Sequence, residues 1–148
     1  MDGSEHDWFE GRRGRAVLMV LIDDATNRTS ARFYESETTA AAFDVFGHYV
    51  RRQGLPRSLY VDRDSIYRTT REATAEESLE QTGPETQFSR AMRQLGVRLI
   101  CARSPQAKGR VERRNGVFQD RLVKELRLAG SATWRQRTCS WSSNSCRR

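Results

Sequence analysis

The spacing of apolar residues changes period several times along the chain. Arg15 to Asp24 (RAVLMVLIDD) is an apolar run closed by two acids. Such a run predicts a central strand buried on both faces and ending in the turn DDATNR. Thr29 to Glu35 (TSARFYE) alternates and carries aromatics, which predicts the return strand of a hairpin. A helix is expected over SETTAAAFDVFGHYVRRQG. Ser36 or Thr38 can cap it, Phe43, Phe46 and Val50 share a face, and Gly54 can end it. Leu55 to Asp62 (LPRSLYVD) reads as a short buried strand, so the helix becomes a crossover with local parallel pairing.

Arg68 to Glu85 is polar and rich in Thr and Glu, and reads as an exposed insertion. TQFSRAMRQLG has helical spacing, with Phe88, Met92 and Leu95 on one face, and Val97 to Ala102 predicts another strand. After a Ser-Pro turn, Ala107 to Ala129 is the longest helix. Val111, Phe118, Leu122 and Leu126 form its apolar stripe, and Lys108, Arg114, Arg121 and Lys124 lie mostly off it. With a first strand in MDGSEHDWFE, where Trp8 and Phe9 read as core, the order is three strands, helix, strand, helix, strand, long helix. That order predicts a mixed α/β domain with an antiparallel start and parallel additions. No internal repeat is visible.

Composition narrows the partners. The chain has 148 residues, room for one domain, and carries a net charge of +7 with a pI near 10.0. That balance suits a polyanionic partner. No run approaches the ~20 apolar residues of a membrane span. The acidic opening lacks an apolar signal-peptide region. Cys101, Cys139 and Cys146 are scattered and no Cys-x-x-Cys occurs, which argues for reduced thiols in a cytoplasm and against a zinc site.

The chemistry concentrates in SPQAKGRVERRNG, Ser104 to Gly116, where Glu112 sits among Arg110, Arg113 and Arg114. The ordinary reading is a solvated salt-bridge network. The sharper one is a carboxylate that holds a metal beside a polyanion. Two further acids stand at element ends, Asp2 in the first strand and Asp62 at the close of LYVD. Carboxylates gathered at one sheet edge can hold two Mg²⁺ ions roughly 3.5–4 Å apart for phosphoryl transfer. Asp23 and Asp24 end the strongest strand and compete for the same role, and Asp64 is a second competitor.

The blocks DGSEHDWFEGR, LMVLIDDATNR, ARFYESETT, LYVDRDSIYR and RSPQAKGRVERRNGVFQDRLVKELRL resemble the catalytic core of bacterial insertion-sequence DDE transposases, related to retroviral integrases. The resemblance runs from Asp2 to about Ala129. It implies a ribonuclease-H-like α/β fold, a mixed sheet with flanking helices. It also implies a catalytic and metal-binding triad of Asp2, Asp62 and Glu112 with two Mg²⁺ (or Mn²⁺) ions. The acids are 60 and 50 residues apart, the second gap lengthened by the insertion at 68–85. By the same resemblance Asp23 or Asp24 becomes a turn residue, Lys108 and Asn115 become DNA contacts, and Arg110 and Arg114 are either DNA contacts or solvated helix charges. Lys108 lies at i−4 from Glu112, so both can face one edge. Relatives carry a basic residue two turns after the third acid. Here that position is Gln119, with no role assigned.

The implied activity is DNA transposition and integration by metal-dependent phosphodiester hydrolysis and strand transfer, on double-stranded DNA at transposon ends and target. The implied protein is a homo-oligomer, without a membrane, in the bacterial cytoplasm at the nucleoid. The alternative is an inactive remnant that binds DNA non-specifically or interferes with intact transposase. Residues 1–130 are expected to be the core, lacking upstream end-recognition elements. Residues 131–148 (SATWRQRTCSWSSNSCRR) lack a core pattern and are expected to be a disordered or frameshifted tail. A shifted frame permits MEAANVFLEQQLLPP across Thr133 to Arg147, a helix-like composition.

Overall fold

The computed structural model describes residues 1–72, 83–102, 105–130 and 139–141, side chains excepted at 105–108, 110 and 139–141. Strand β1 (Asp2–His6) pairs antiparallel with β2 (Ala16–Ile22), and β2 with β3 (Thr29–Tyr34). Helix α1 (Thr39–Gln53) follows, then β4 (Ser58–Val61), α2 (Gln87–Gln94), β5 (Arg98–Cys101), α3 (Pro105–Leu128) and β6 (Cys139–Trp141). β4 and β5 pair in parallel, and β6 lies antiparallel beside β3. The Met1 amino group donates to the Tyr60 carbonyl across 2.5 Å, so the two sheets meet where β1 begins beside β4.

The long apolar run is β2, and burial on both faces explains its lack of alternation. Val17, Met19 and Leu21 join Ala42, Val45, Phe46, Phe88 and Met92 in a core under α1 and α2. Leu18 and Val20 turn the other way, into a core with Trp8, Phe9, Phe33, Phe118, Leu122 and Leu126 under α3. Each face takes alternate residues, as a pleated strand requires.

Local signals set the element ends. The Thr38 hydroxyl accepts the Ala41 amide at 3.1 Å and caps α1, and Gly54 ends it at φ 85°. α2 is capped by Thr86 and stops at Gln94, which leaves Leu95 exposed as its C-cap instead of on the Phe88–Met92 face. The C-terminal end of α3 is fixed to the β1–β2 connection. Arg12 donates to the Leu126 carbonyl at 3.2 Å, and Arg127 pairs with Glu10.

β6 falls in a stretch where the apolar pattern predicts no element. The remainder of 131–148, and residues 73–82 of the expected insertion, lie outside the described residues.

Candidate active site

Asp2 opens β1, opposite Val20 of the β2 face that packs under α3. One helical face of α3 approaches it from that side. Asn115 Nδ2 donates to Asp2 Oδ2 at 3.2 Å, and Gln119 Nε2 donates to Ser4 Oγ at 3.1 Å. Residues two apart on a strand and four apart on a helix advance by similar lengths, roughly 6–7 Å, so the two bonds run in register. Glu112 precedes Asn115 by three residues, on the same face. It is exposed. Asn115 itself is 7% exposed and its Oδ1 has no hydrogen-bond partner.

Asp62 follows β4 directly, and its Oδ1 accepts the Asp64 amide at 3.0 Å. Asp64 turns back on its own loop, accepting from Ile66 N and Ser65 Oγ at 2.9 and 3.2 Å. Of the competing pair just after β2, Asp23 serves a turn. Asp23 accepts from Ala25 N at 2.9 Å and Thr26 Oγ1 at 2.7 Å. Its carboxyl is held below the usual range chiefly by the Thr26 hydroxyl.

A fourth acid, Glu37, belongs to this neighbourhood. Its carboxylate crosses β1 at Gly3 so closely that a Cβ there would lie 2.1 Å from Oε2. Tyr67, 2% exposed, donates to Glu37 Oε1 at 3.4 Å. Burial pushes the Glu37 carboxyl up to about 7, with the charges of Asp62, Asp64 and Asp2 adding to it. Burial likewise raises the Tyr67 phenol, reinforced by Glu37 and the three aspartates. These fields put Asp2 and Asp62 in one electrostatic neighbourhood. Sequence reading missed Glu37, whose only local signal is a carboxylate just before the Thr38 cap.

Arg114 is half-buried on α3, and Arg113 donates to the Gly109 carbonyl at 2.9 Å. The side chains of Lys108 and Arg110 lie outside the described ones.

No family profile matches the chain. Two curated proteins do. A candidate transposase of Sinorhizobium fredii (strain NBRC 101917 / NGR234), y4bF, is 43% identical over 131 residues, 88% of this chain and 28% of that protein. The transposase for insertion sequence IS1202 of Streptococcus pneumoniae is 37% identical over 127 residues, 85% of this chain and 26% of that protein. Over most of its length the chain is similar to these transposases, at 37–43% identity. It spans about a quarter of the length of these relatives.

Solved structures give the fold of this chain. The catalytic core domain of HTLV-2 integrase in complex with magnesium, in its trimeric form, aligns at TM-score 0.64 with 16% identity, over 90% of this chain and 74% of that one. A chain of the simian T-cell lymphotropic virus intasome in complex with PP2A regulatory subunit B56 gamma aligns at TM-score 0.65 with 22% identity, over 89% of this chain and 42% of that one. The fold is the ribonuclease-H-like integrase core, a mixed sheet with flanking helices.

The donor chemistry around Asp2 fits a hard cation. Asp2 and Asp62 offer carboxylate oxygens, and Asn115 brings an unpaired buried amide oxygen beside Asp2. Among the described residues no three His, Cys, Asp or Glu side chains converge to hold an ion. A cavity of about 700 Å³ opens between the β2–β3 turn and the start of β4, lined by Met1, Asp24, Tyr60, Val111 and Arg113 among others. Among the described residues no helix is long and apolar enough to cross a membrane.

Proposed function

We propose that this chain is the catalytic-core segment of a DDE transposase, which breaks and joins DNA phosphodiesters with Asp2, Asp62 and Glu112 as its acids. The hydrogen bond from Asn115 to Asp2 carries this reading. It ties the α3 face that bears Glu112 to the strand that bears Asp2, across 113 residues of sequence. A contact of that kind serves a site assembled from distant segments better than it serves a solvated helix.

Asp2, Asp62 and Glu112 would hold two divalent cations, Mg²⁺ or Mn²⁺. When bound, such ions neutralise charge on a phosphodiester under in-line attack. The chain's own residues supply position. Asn115 fixes the Asp2 rotamer from the α3 side, and Glu112 stands exposed where a polymeric substrate can reach it. Lys108, Arg110 and Arg114 meet DNA phosphates, and such contacts orient a duplex without reading its sequence. The partner is double-stranded DNA, transposon end and target, and the working form is a homo-oligomer. The core is residues 1–130, and the cell compartment is the bacterial cytoplasm at the nucleoid.

Strand joining of a 3′-hydroxyl oligonucleotide into plasmid DNA tests the reading. Joining in Mn²⁺ that vanishes in EDTA is the expected result. DNA binding with no strand breakage in Mn²⁺ would contradict it.

A further inference from the structure

Two pairs of side chains grip the start of β1 from opposite faces. Asn115 and Gln119 hold Asp2 and Ser4 from the α3 side. On the other face Glu37 lies over Gly3, backed by Tyr67. Gly3 pairs with Met19 of β2, whose side chain belongs to the core under α1, so Glu37 crosses at the rim of that core. A Cβ at Gly3 would displace the Glu37 carboxylate, which occupies the space it would take.

A half-buried carboxylate held beside other carboxylates is costly unless something offsets the charge. Among the described residues Glu37 accepts one hydrogen bond, the 3.4 Å contact from Tyr67. Packing alone would be met by a glutamine or a methionine. The same neighbourhood holds a second sign of a missing positive ligand. Asn115, 7% exposed, presents an unpaired Oδ1 while its Nδ2 is spent on Asp2. Positive charge bound at Asp2 would offset both the surplus carboxylate and the buried oxygen without a donor, which stand on either side of β1.

We propose that Glu37 is a fourth carboxylate of this site, a positioning residue that raises its affinity for a divalent cation by accepting from the cation's hydration shell. This rests on the reading that Asp2 and Asp62 take the cation. Mg²⁺ keeps several of its waters in protein sites, and carboxylates outside the ligand set orient them. The space left by Gly3 and the hydrogen bond from Tyr67 set where Glu37 stands.

Calorimetric titration of the purified chain with Mn²⁺ tests this, with the parent, Glu37→Gln, Gly3→Ala and Asp62→Asn compared after thermal melts in EDTA. Glu37→Gln keeps the size and the acceptor for Tyr67 but removes the charge. Gly3→Ala keeps the charge but displaces the carboxylate, so either variant suffices should the other not fold. Both are expected to weaken Mn²⁺ binding by roughly tenfold to a hundredfold, and Asp62→Asn to abolish it. Parent-like binding in Glu37→Gln and Gly3→Ala, with Asp62→Asn silent, overturns the role of Glu37 and leaves the aspartate site standing. Parent-like binding in Asp62→Asn, or no saturable binding by the parent, overturns the proposal together with the reading beneath it.

Discussion

Asn115 spends one end of its side-chain amide on Asp2, at 3.2 Å, and leaves the other end buried without a partner. That half-satisfied geometry costs stability, about 1–3 kcal/mol for a buried polar atom left unpaired. Asn115→Leu has a similar shape and no polar atoms, so its melting temperature should equal or exceed the parent's. Its DNA strand joining should fall by roughly tenfold or more, because Asp2 loses the donor that orients it. Unchanged joining in this variant would mean that the bond to Asp2 is packing and nothing else.

Glu37 predicts a pH dependence with a definite sign. Its folded-state value is raised from the ordinary 4.5 to about 7. Between those values the folded chain binds more protons than the unfolded chain, so this group's stabilising contribution is lost as pH rises through the window. In EDTA, the parent's melting temperature should drop between about pH 5 and about pH 7 by a few degrees more than that of Glu37→Gln. Parallel drops in the two proteins would contradict the assignment.

The core under α1 depends on Phe88, which is fully buried with Phe43, Tyr67 and Phe46 ring centroids at 5.0, 5.4 and 6.1 Å. Phe88→Ala should cost about 3–5 kcal/mol in urea unfolding. The same change removes a wall of the Tyr67 pocket, so Mn²⁺ affinity should fall with it. A loss below ~1 kcal/mol would place Phe88 outside the core.

Arg114 stands two residues after Glu112 and is expected to meet a phosphate. Arg114→Ala should weaken DNA binding on every sequence and reduce the slope of log affinity against log salt by about 0.9. A loss confined to one sequence, or an unchanged slope, would make it a helix surface charge.

Periodicity made much of the fold legible. The unbroken apolar run of β2 announced burial on both faces, and the Phe118–Leu122–Leu126 stripe announced the side of α3 that packs. Asn115 occupies the polar gap in that stripe between Val111 and Phe118, which is why a polar residue ends up buried there. The acids were less legible. By local pattern Asp23 and Asp24 outrank Asp2, since they close the strongest strand, yet Asp23 serves its own turn. Only the family resemblance singled out Asp2. Glu37 was invisible because its partner is an absent side chain, at Gly3, brought near by pairing between β1 and β2 and not by any spacing. β6 escaped for a related reason, since three residues give no period to read.

On the proposed reading Glu112, exposed on α3, acts with Asp2 and Asp62 on DNA. Nicking of supercoiled plasmid in Mn²⁺, by the parent beside Glu112→Gln and Asp24→Asn, tests it most directly. The account predicts nicking by the parent and by Asp24→Asn, and a fall to the EDTA level in Glu112→Gln. Equal nicking by the parent and Glu112→Gln, both shown to be folded, would contradict it.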